Sequence, residues 1–307
     1  MRVAVTSKSF SRHEQLIEEL KIVFPNVKLN FATKKLDDNE VIEFLSDCDA
    51  AIVALEEMNE YVIDKLPNLK AISKFGVGLD NIDIEYCLKK GIPVGWEKGV
   101  NRFSVAEMTL GYMLMLIRNL YTTSNLLSQN TWNKDGGMSL YGKTIGIIGV
   151  GHIGKELINL LKPFNCNILV NDIINQEEYY TNNNLTEVSK DEIFKKCDIV
   201  TIHTPYDKET HHLINTNNLS KMKPSAFVIN SARGDIVNLD DLHKAIKENI
   251  IAGAAIDVYD KEPPTHPILK EQNVICTPHI GGNSKEAVLS MGRSAIKKLK
   301  EILDDQQ

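Results

Sequence analysis

The sequence predicts an α/β protein built on two doubly wound parallel sheets, and three observations carry that reading. Short apolar runs alternate with helix-period stretches through the first hundred residues, the rhythm breaks at a long apolar segment after Gly99, and it resumes from Lys143. A parallel sheet needs this rhythm, because each strand must be followed by a crossover long enough to return the chain to the same edge. The length of 307 residues agrees with two domains, since single cores usually stop growing below about 250 to 300 residues.

In order along the chain, strands are expected at 3–6, 28–31, 50–53 and 71–73, with helices between them. Residues 104–125, containing VAEMTLGYMLMLIRNLYTTSN, read as one long helix with apolar side chains around much of its circumference. Such a helix is buried on several sides, as a core helix joining two domains, as a surface for a second subunit, or as both. From Lys143, the runs TIGIIGV, NILVND, DIVTIH, AFVIN, AGAAIDV and NVICT read as strands of a second sheet. Residues 284–303 read as an amphipathic helix, entered through a short GGN turn where the chain leaves the second domain. The expected domains are 1–100 with 283–307, and 101–282.

Bulk properties exclude several partners. A net charge of −6 and a pI near 5.8 oppose binding to nucleic acid or an anionic membrane, both of which need a basic face. The longest apolar run, 108–117, is well short of the roughly 20 residues that cross a bilayer. The start MRVAVTSKSFSRHE lacks the apolar region of a signal peptide, so a cytoplasmic protein is expected. Five scattered cysteines without a C-x-x-C pair read as reduced, structural thiols.

The strongest local signal is Gly149-Val150-Gly151-His152-Ile153-Gly154, set between an apolar strand and the helical run KELINLLKPF. In that context Gly149 permits a tight turn, Gly151 lets a pyrophosphate approach the backbone, and Gly154 lets helix and strand pack closely. Phosphate charge then meets the helix N-terminus at His152 and Ile153. An unliganded strand-to-helix turn has the same glycines, but a second strand here ends in Asp172, 18 positions after Gly154. A carboxylate there accepts hydrogen bonds from ribose hydroxyls and repels a 2'-phosphate, which favours NAD over NADP as cofactor.

Three further segments each follow an apolar strand: NSARGDIV around Arg233, DVYDKEPP around Glu262, and TPHIGG around His279. In an open parallel sheet the carboxyl ends of strands border the ligand crevice, so these side chains can converge. His279 suits proton transfer to or from a substrate hydroxyl, Glu262 can fix its tautomer and favour its cationic form, and Arg233 can hold a carboxylate in a forked pair. Taken singly, each has an ordinary structural reading: a surface arginine, a solvated glutamate, a core histidine.

Together, the segments, their order and their spacing resemble the D-isomer-specific 2-hydroxyacid dehydrogenase family, which includes phosphoglycerate dehydrogenases and glyoxylate reductases. The likeness spans the chain and is most specific over 142–282. It implies a Rossmann-like cofactor domain inserted into a smaller flavodoxin-like substrate domain, with catalysis in the cleft between them, and a homodimer through the 104–125 region. The family's catalytic Arg, Glu and His fall on Arg233, Glu262 and His279. Its nicotinamide and ribose contacts fall on Val77, Thr204, Ser231, Ala232 and Asp257, with Arg233, His279, Gly281 and Gly282 also at the cofactor. The segment KFGVGLDNID resembles the family's substrate loop, in which Gly76, Val77 and Gly78 bind a carboxylate through backbone N–H groups.

The implied activity is NAD-dependent interconversion of a small D-2-hydroxy acid and its 2-keto acid. Two alternatives stand beside it: 3-phosphoglycerate dehydrogenase, and an NAD(H)-sensing scaffold resembling transcriptional corepressors. Against the first, Ala54-Leu55-Glu56 occupies the place where phosphoglycerate dehydrogenases carry a phosphate-binding arginine, a carboxylate at Glu56 would repel a phosphate, and no regulatory extension is expected after Gln307. Against the second stand the retained Arg, Glu and His. His211 and His212 read as loop residues rather than metal ligands, no metal is expected, and Trp132 reads as core packing.

Overall fold

Strands whose side chains are buried at every position need cover on both faces of their sheet, which helical crossovers of parallel strands provide. The computed structural model describes residues 1–32 and 34–306 and divides into two units, Met1–Asn101 with Asn283–Gln307, and Arg102–Gly282. The first unit holds β1 (Val3–Val5), β2 (Val27–Leu29), β3 (Ala50–Val53), β4 (Ala71–Lys74) and β5 (Val94–Gly95). All pair in parallel in the order β2-β1-β3-β4-β5, the flavodoxin-like winding that reverses between β1 and β3.

The period of two along each strand sorts its side chains to opposite faces. Ala4, Ala51, Val53 and Ile72 pack with Val41, Leu45, Met58 and Val62. Val3, Val5, Ala50, Ile52 and Ala71 pack with Phe10, Leu16, Leu20, Leu299 and Leu303. The last two residues come from the helix Lys285–Asp304, whose Ala295 carbonyl accepts from the Ser73 hydroxyl at 2.8 Å. On the outer side of that helix, Arg293 forks onto Glu19 and holds its carboxyl below the usual range. The two-residue β5 escapes sequence reading because so short an edge strand has no periodicity.

The second unit holds β6 (Thr144–Ile148), β7 (Asn167–Asn171), β8 (Thr186–Glu187), β9 (Ile199–Ile202), β10 (Phe227–Asn230), β11 (Gly253–Ile256) and β12 (Val274–Cys276). Their order, β12-β11-β10-β9-β6-β7-β8, is entirely parallel and reverses direction between β6 and β9. This is the dinucleotide-binding Rossmann winding, with its crevice at that reversal.

The expected single helix over 104–125 is two helices, Arg102–Ile117 and Leu120–Ser128. Asn119 lies between them in the left-handed region at φ 52°, and the Ile117 carbonyl is taken by the Met138 N–H at 2.7 Å. An outside donor replaces the bond that would have continued the helix. Only the first helix is buried, through Val105, Ala106, Thr109, Tyr112, Met113, Leu116 and Ile117; none of the second is. Trp132, expected in the core, is 77% exposed.

All five cysteines are free thiols, and burial raises Cys197 to about 12 and Cys48 and Cys87 to about 11, which keeps them unreactive. No helix among the described residues is long and apolar enough to cross a membrane. Because Leu299 is fully buried against the first sheet, Leu299→Ala should cost about 2–5 kcal/mol, read as a lower denaturant midpoint for this unit. An unchanged midpoint would show that the terminal helix adds nothing to the fold.

Candidate active site

The turn after β6 is shaped by close backbone approaches. Gly149 has φ 97°, and a Cβ on it would lie 2.7 Å from the His203 carbonyl carbon, so the turn presses against the end of β9 at the winding reversal. A Cβ on Gly154 would lie 2.3 Å from the Gly149 carbonyl oxygen, which locks the helix His152–Leu161 against the turn. Gly151 differs: nothing among the described residues lies within 4 Å of its Cβ position, and no side chain caps the helix it begins. That open, uncapped N-terminus, with its unpaired N–H groups at His152 and Ile153, suits a pyrophosphate.

Asp172, just past β7, makes two hydrogen bonds to backbone N–H groups. Its Oδ2 accepts from the Val150 N–H at 2.6 Å and its Oδ1 from the Ile174 N–H at 2.9 Å, so it ties the glycine turn to the neighbouring strand. Gln176 supports the same turn by donating to the Val150 carbonyl at 3.2 Å. Beyond β9, the Thr204 hydroxyl is buried without a hydrogen-bond partner among the described residues, a costly state that a bound ligand would relieve. His203 beside it is desolvated down to a pKa of about 4 and stays neutral, its Nε2 3.0 Å from the Thr201 hydroxyl. An open glycine cradle, a carboxylate at a ribose position and an orphaned hydroxyl together fit a dinucleotide.

The loops after β10, β11 and β12 carry the reactive candidates. Asn230, at the end of β10, accepts from the Ala232 N–H at 3.0 Å and donates to the Arg233 carbonyl at 2.8 Å, pinning the loop Ser231–Arg233 from both sides. Arg233 Nη1 donates to the Ala232 carbonyl at 2.7 Å. A Cβ on Gly234 would lie 2.0 Å from the Tyr259 carbonyl carbon, so the arginine loop lies directly against the loop that leads to Glu262.

His279 is brought to Glu262. Its Nδ1 lies 3.0 Å from both carboxylate oxygens, with the histidine side chain 47% and the glutamate side chain 40% exposed. Glu262 also accepts from the Tyr259 N–H at 3.2 Å. A carboxylate at Nδ1 fixes the proton there and leaves Nε2 as the nitrogen that exchanges protons. Behind the histidine, buried Asp257 accepts from the Thr277 hydroxyl at 2.5 Å and from the Ile280 and Gly281 N–H groups, each at 2.8 Å.

In the first unit, Gly76, Val77 and Gly78 are half-buried at the carboxyl end of β4, and Gly76 has φ 137°, a conformation that excludes side chains. Lys74 beneath them is 6% exposed, bonded to the Ala54 carbonyl and the Asn81 side chain. Glu56 is also buried, accepting from the Thr6 hydroxyl at 2.5 Å and the Ala54 N–H at 3.2 Å. The rings of His211 and His212 stack 3.9 Å apart, and no group of potential metal ligands occurs among the described residues.

Sequence reading missed the residues that hold these loops: Asn230 and Thr277 stood inside quoted motifs without a role, and Tyr112 stood in an apolar helix with no local signal.

Fold and site define a class, two-unit α/β proteins with a dinucleotide-binding sheet. Comparison with known proteins narrows it. The D-isomer specific 2-hydroxyacid dehydrogenase NAD binding domain matches residues 110–281. Glyoxylate reductase of Thermofilum pendens is 40% identical over 276 residues, covering 86% of this chain and 81% of that protein. D-3-phosphoglycerate dehydrogenase of Methanocaldococcus jannaschii is 36% identical over 87% of this chain, which spans only 52% of that protein. Among solved structures, Aquifex aeolicus D-lactate dehydrogenase, complexed with NAD and lactic acid, is 26% identical with a TM-score of 0.85, covering 99% of this chain and 96% of that one. The chain belongs to the D-isomer specific 2-hydroxyacid dehydrogenase family.

The two glycines should separate fold from ligand. Gly154→Ala should lower the melting temperature, because its Cβ meets backbone, whereas Gly151→Ala should leave melting unchanged and weaken NADH binding in a fluorescence titration. Equal NADH affinity for Gly151→Ala and the parent would remove the pyrophosphate from this turn.

Proposed function

We propose that this chain is an NAD-dependent oxidoreductase that interconverts a small D-2-hydroxy acid and its 2-keto acid. The observation that carries the reading is the His279–Glu262 pair, 3.0 Å apart, on the same sheet edge as the glycine turn. A nicotinamide dinucleotide, when bound, supplies or accepts the hydride. His152 and Ile153 would hold its pyrophosphate, Asp172 its ribose hydroxyls, and Thr204, Ser231, Ala232, Gly281 and Gly282 its nicotinamide half.

In the reduction direction, Arg233 grips the substrate carboxylate and polarises the neighbouring carbonyl, while His279 donates a proton from Nε2 to the forming hydroxyl oxygen. Glu262 stabilises the imidazolium before transfer and keeps Nδ1 protonated after it. In oxidation the proton returns to Nε2. Asp257 holds the histidine loop through its three hydrogen bonds from loop donors.

The substrate we favour is a small unphosphorylated keto acid of the glyoxylate or hydroxypyruvate kind. Support comes from Glu56, which stands buried where phosphoglycerate dehydrogenases place an arginine. We assign the protein to the cytoplasm as a homodimer formed around 104–125, where Leu120, Leu127, Trp132 and Tyr141 expose apolar surface.

Assaying glyoxylate, hydroxypyruvate, pyruvate and 3-phosphohydroxypyruvate with NADH and NADPH tests the assignment. Turnover should be highest with an unphosphorylated acid and NADH; strong activity with the phosphorylated acid alone would move the protein to the phosphoglycerate dehydrogenases. NADH binding without any turnover would favour a scaffold.

His279→Ala should keep NADH affinity and lose about 10²–10⁴-fold in kcat, the usual worth of a general acid, and Arg233→Ala should lose kcat/KM for the keto acid. Undiminished turnover in both variants would defeat the mechanism. Asp172→Ala should narrow the preference for NADH over NADPH in steady-state kinetics, and an unchanged ratio would remove the ribose contact.

A further inference from the structure

We propose that Tyr112 is a positioning residue for His279, acting through Thr277 and Asp257. The inference rests on the catalytic assignment of His279 above. Tyr112 lies on the buried helix Arg102–Ile117 with its hydroxyl 2.5 Å from the Thr277 hydroxyl, which in turn lies 2.5 Å from Asp257 Oδ1.

Proton counting sets the direction of this chain. Asp257 accepts three hydrogen bonds, two of them from the Ile280 and Gly281 N–H groups, and is 1% exposed. Thr277 has one hydroxyl proton and gives it to Asp257, so towards Tyr112 its oxygen can only accept. Tyr112 therefore donates to Thr277, the Met108 thioether 3.3 Å from the same hydroxyl being the weaker acceptor, and burial keeps the phenol protonated by raising it to about 12. Each donor in such a buried series polarises the next.

The same helix holds the loop at its other end, where the Ser104 hydroxyl donates to the Gly281 carbonyl at 2.6 Å. A second tyrosine, Tyr259, donates to the Thr277 carbonyl at 3.1 Å. His279 thus sits midway in a loop gripped at Thr277 and at Gly281, with its own backbone in the left-handed region at φ 54°. A non-glycine residue adopts that conformation at a cost and keeps it only where its surroundings over-determine it. Tyr112 supplies part of that constraint.

The test compares Tyr112→Phe, Thr277→Val, Thr277→Ser and His279→Ala by keto-acid kinetics, NADH titration and thermal melting. Tyr112→Phe keeps the ring and removes only the donor. It should lose about tenfold in kcat, the scale of a small misplacement of a reacting group, with NADH affinity within about twofold of the parent. Its melting temperature should fall by no more than about 4 °C, as for one lost hydrogen bond in a domain of this size. Thr277→Val should lose more turnover, and Thr277→Ser, which keeps the hydroxyl, should restore most of it.

Parental kcat in Tyr112→Phe beside an inactive His279→Ala would overturn the relay and leave the catalytic assignment standing. A loss of kcat that follows a large fall in melting temperature or in NADH affinity would also overturn it, as a merely structural effect. Retained turnover in His279→Ala would overturn both readings together.

Discussion

Parallel pairing is the constraint on which this protein depends. When all strands of a sheet run the same way, all end on one edge, and the loops that leave the strands there gather along it. In the second unit those loops are the glycine turn after β6, Asp172 after β7, Thr204 after β9, Arg233 after β10, Glu262 after β11 and His279 after β12. Residues separated by more than a hundred positions share an edge because the ladder allows no other exit. The reversal between β6 and β9 then sends neighbouring loops apart and opens the crevice that a dinucleotide needs.

A loop released from the ladder leaves backbone donors and acceptors that must find partners if they are buried. Each loop here is served by one polar side chain close to a strand end. Asp172 takes the N–H of Val150, Asn230 bridges Ala232 and Arg233, and Asp257 takes the N–H groups of Ile280 and Gly281. These bonds fix the loops to about the precision of the strands themselves, which is what a site for proton and hydride transfer requires. They also explain why His279 can be half exposed and still be held to one geometry.

Much of this was legible in the sequence, and the limit has a physical basis. Long apolar strands, the glycine turn and the carboxylate after β7 follow from local rules of period, steric access and charge. The pairing of Glu262 with His279 was legible because both segments follow strands of one parallel sheet and so leave it by the same edge. Tyr112 was not, since a tyrosine in an apolar helix looks the same whether its hydroxyl meets solvent or a threonine 165 positions away. The break at Asn119 was hidden for a similar reason: it follows from Met138 capturing the Ile117 carbonyl, a contact between segments. Propensity describes what a segment prefers alone, and both features are set by what arrives from elsewhere.

At Glu56 the sequence and the structure point to different forces. Read from the sequence, its carboxylate disfavours a phosphorylated substrate by repulsion. In the structure that carboxylate is buried and occupied by the Thr6 hydroxyl and the Ala54 N–H, so little of its charge is directed at a ligand. What disfavours a phosphate here is what the position fails to supply. A phosphate needs a forked or multiple donor in place of its water shell. Glu56 is an acceptor, and the nearby ammonium of Lys74 is held beneath the loop by the Ala54 carbonyl and Asn81. The charge that this corner of the first sheet does contain is spent on shaping the loop, which is consistent with a substrate whose only anionic group is its carboxylate.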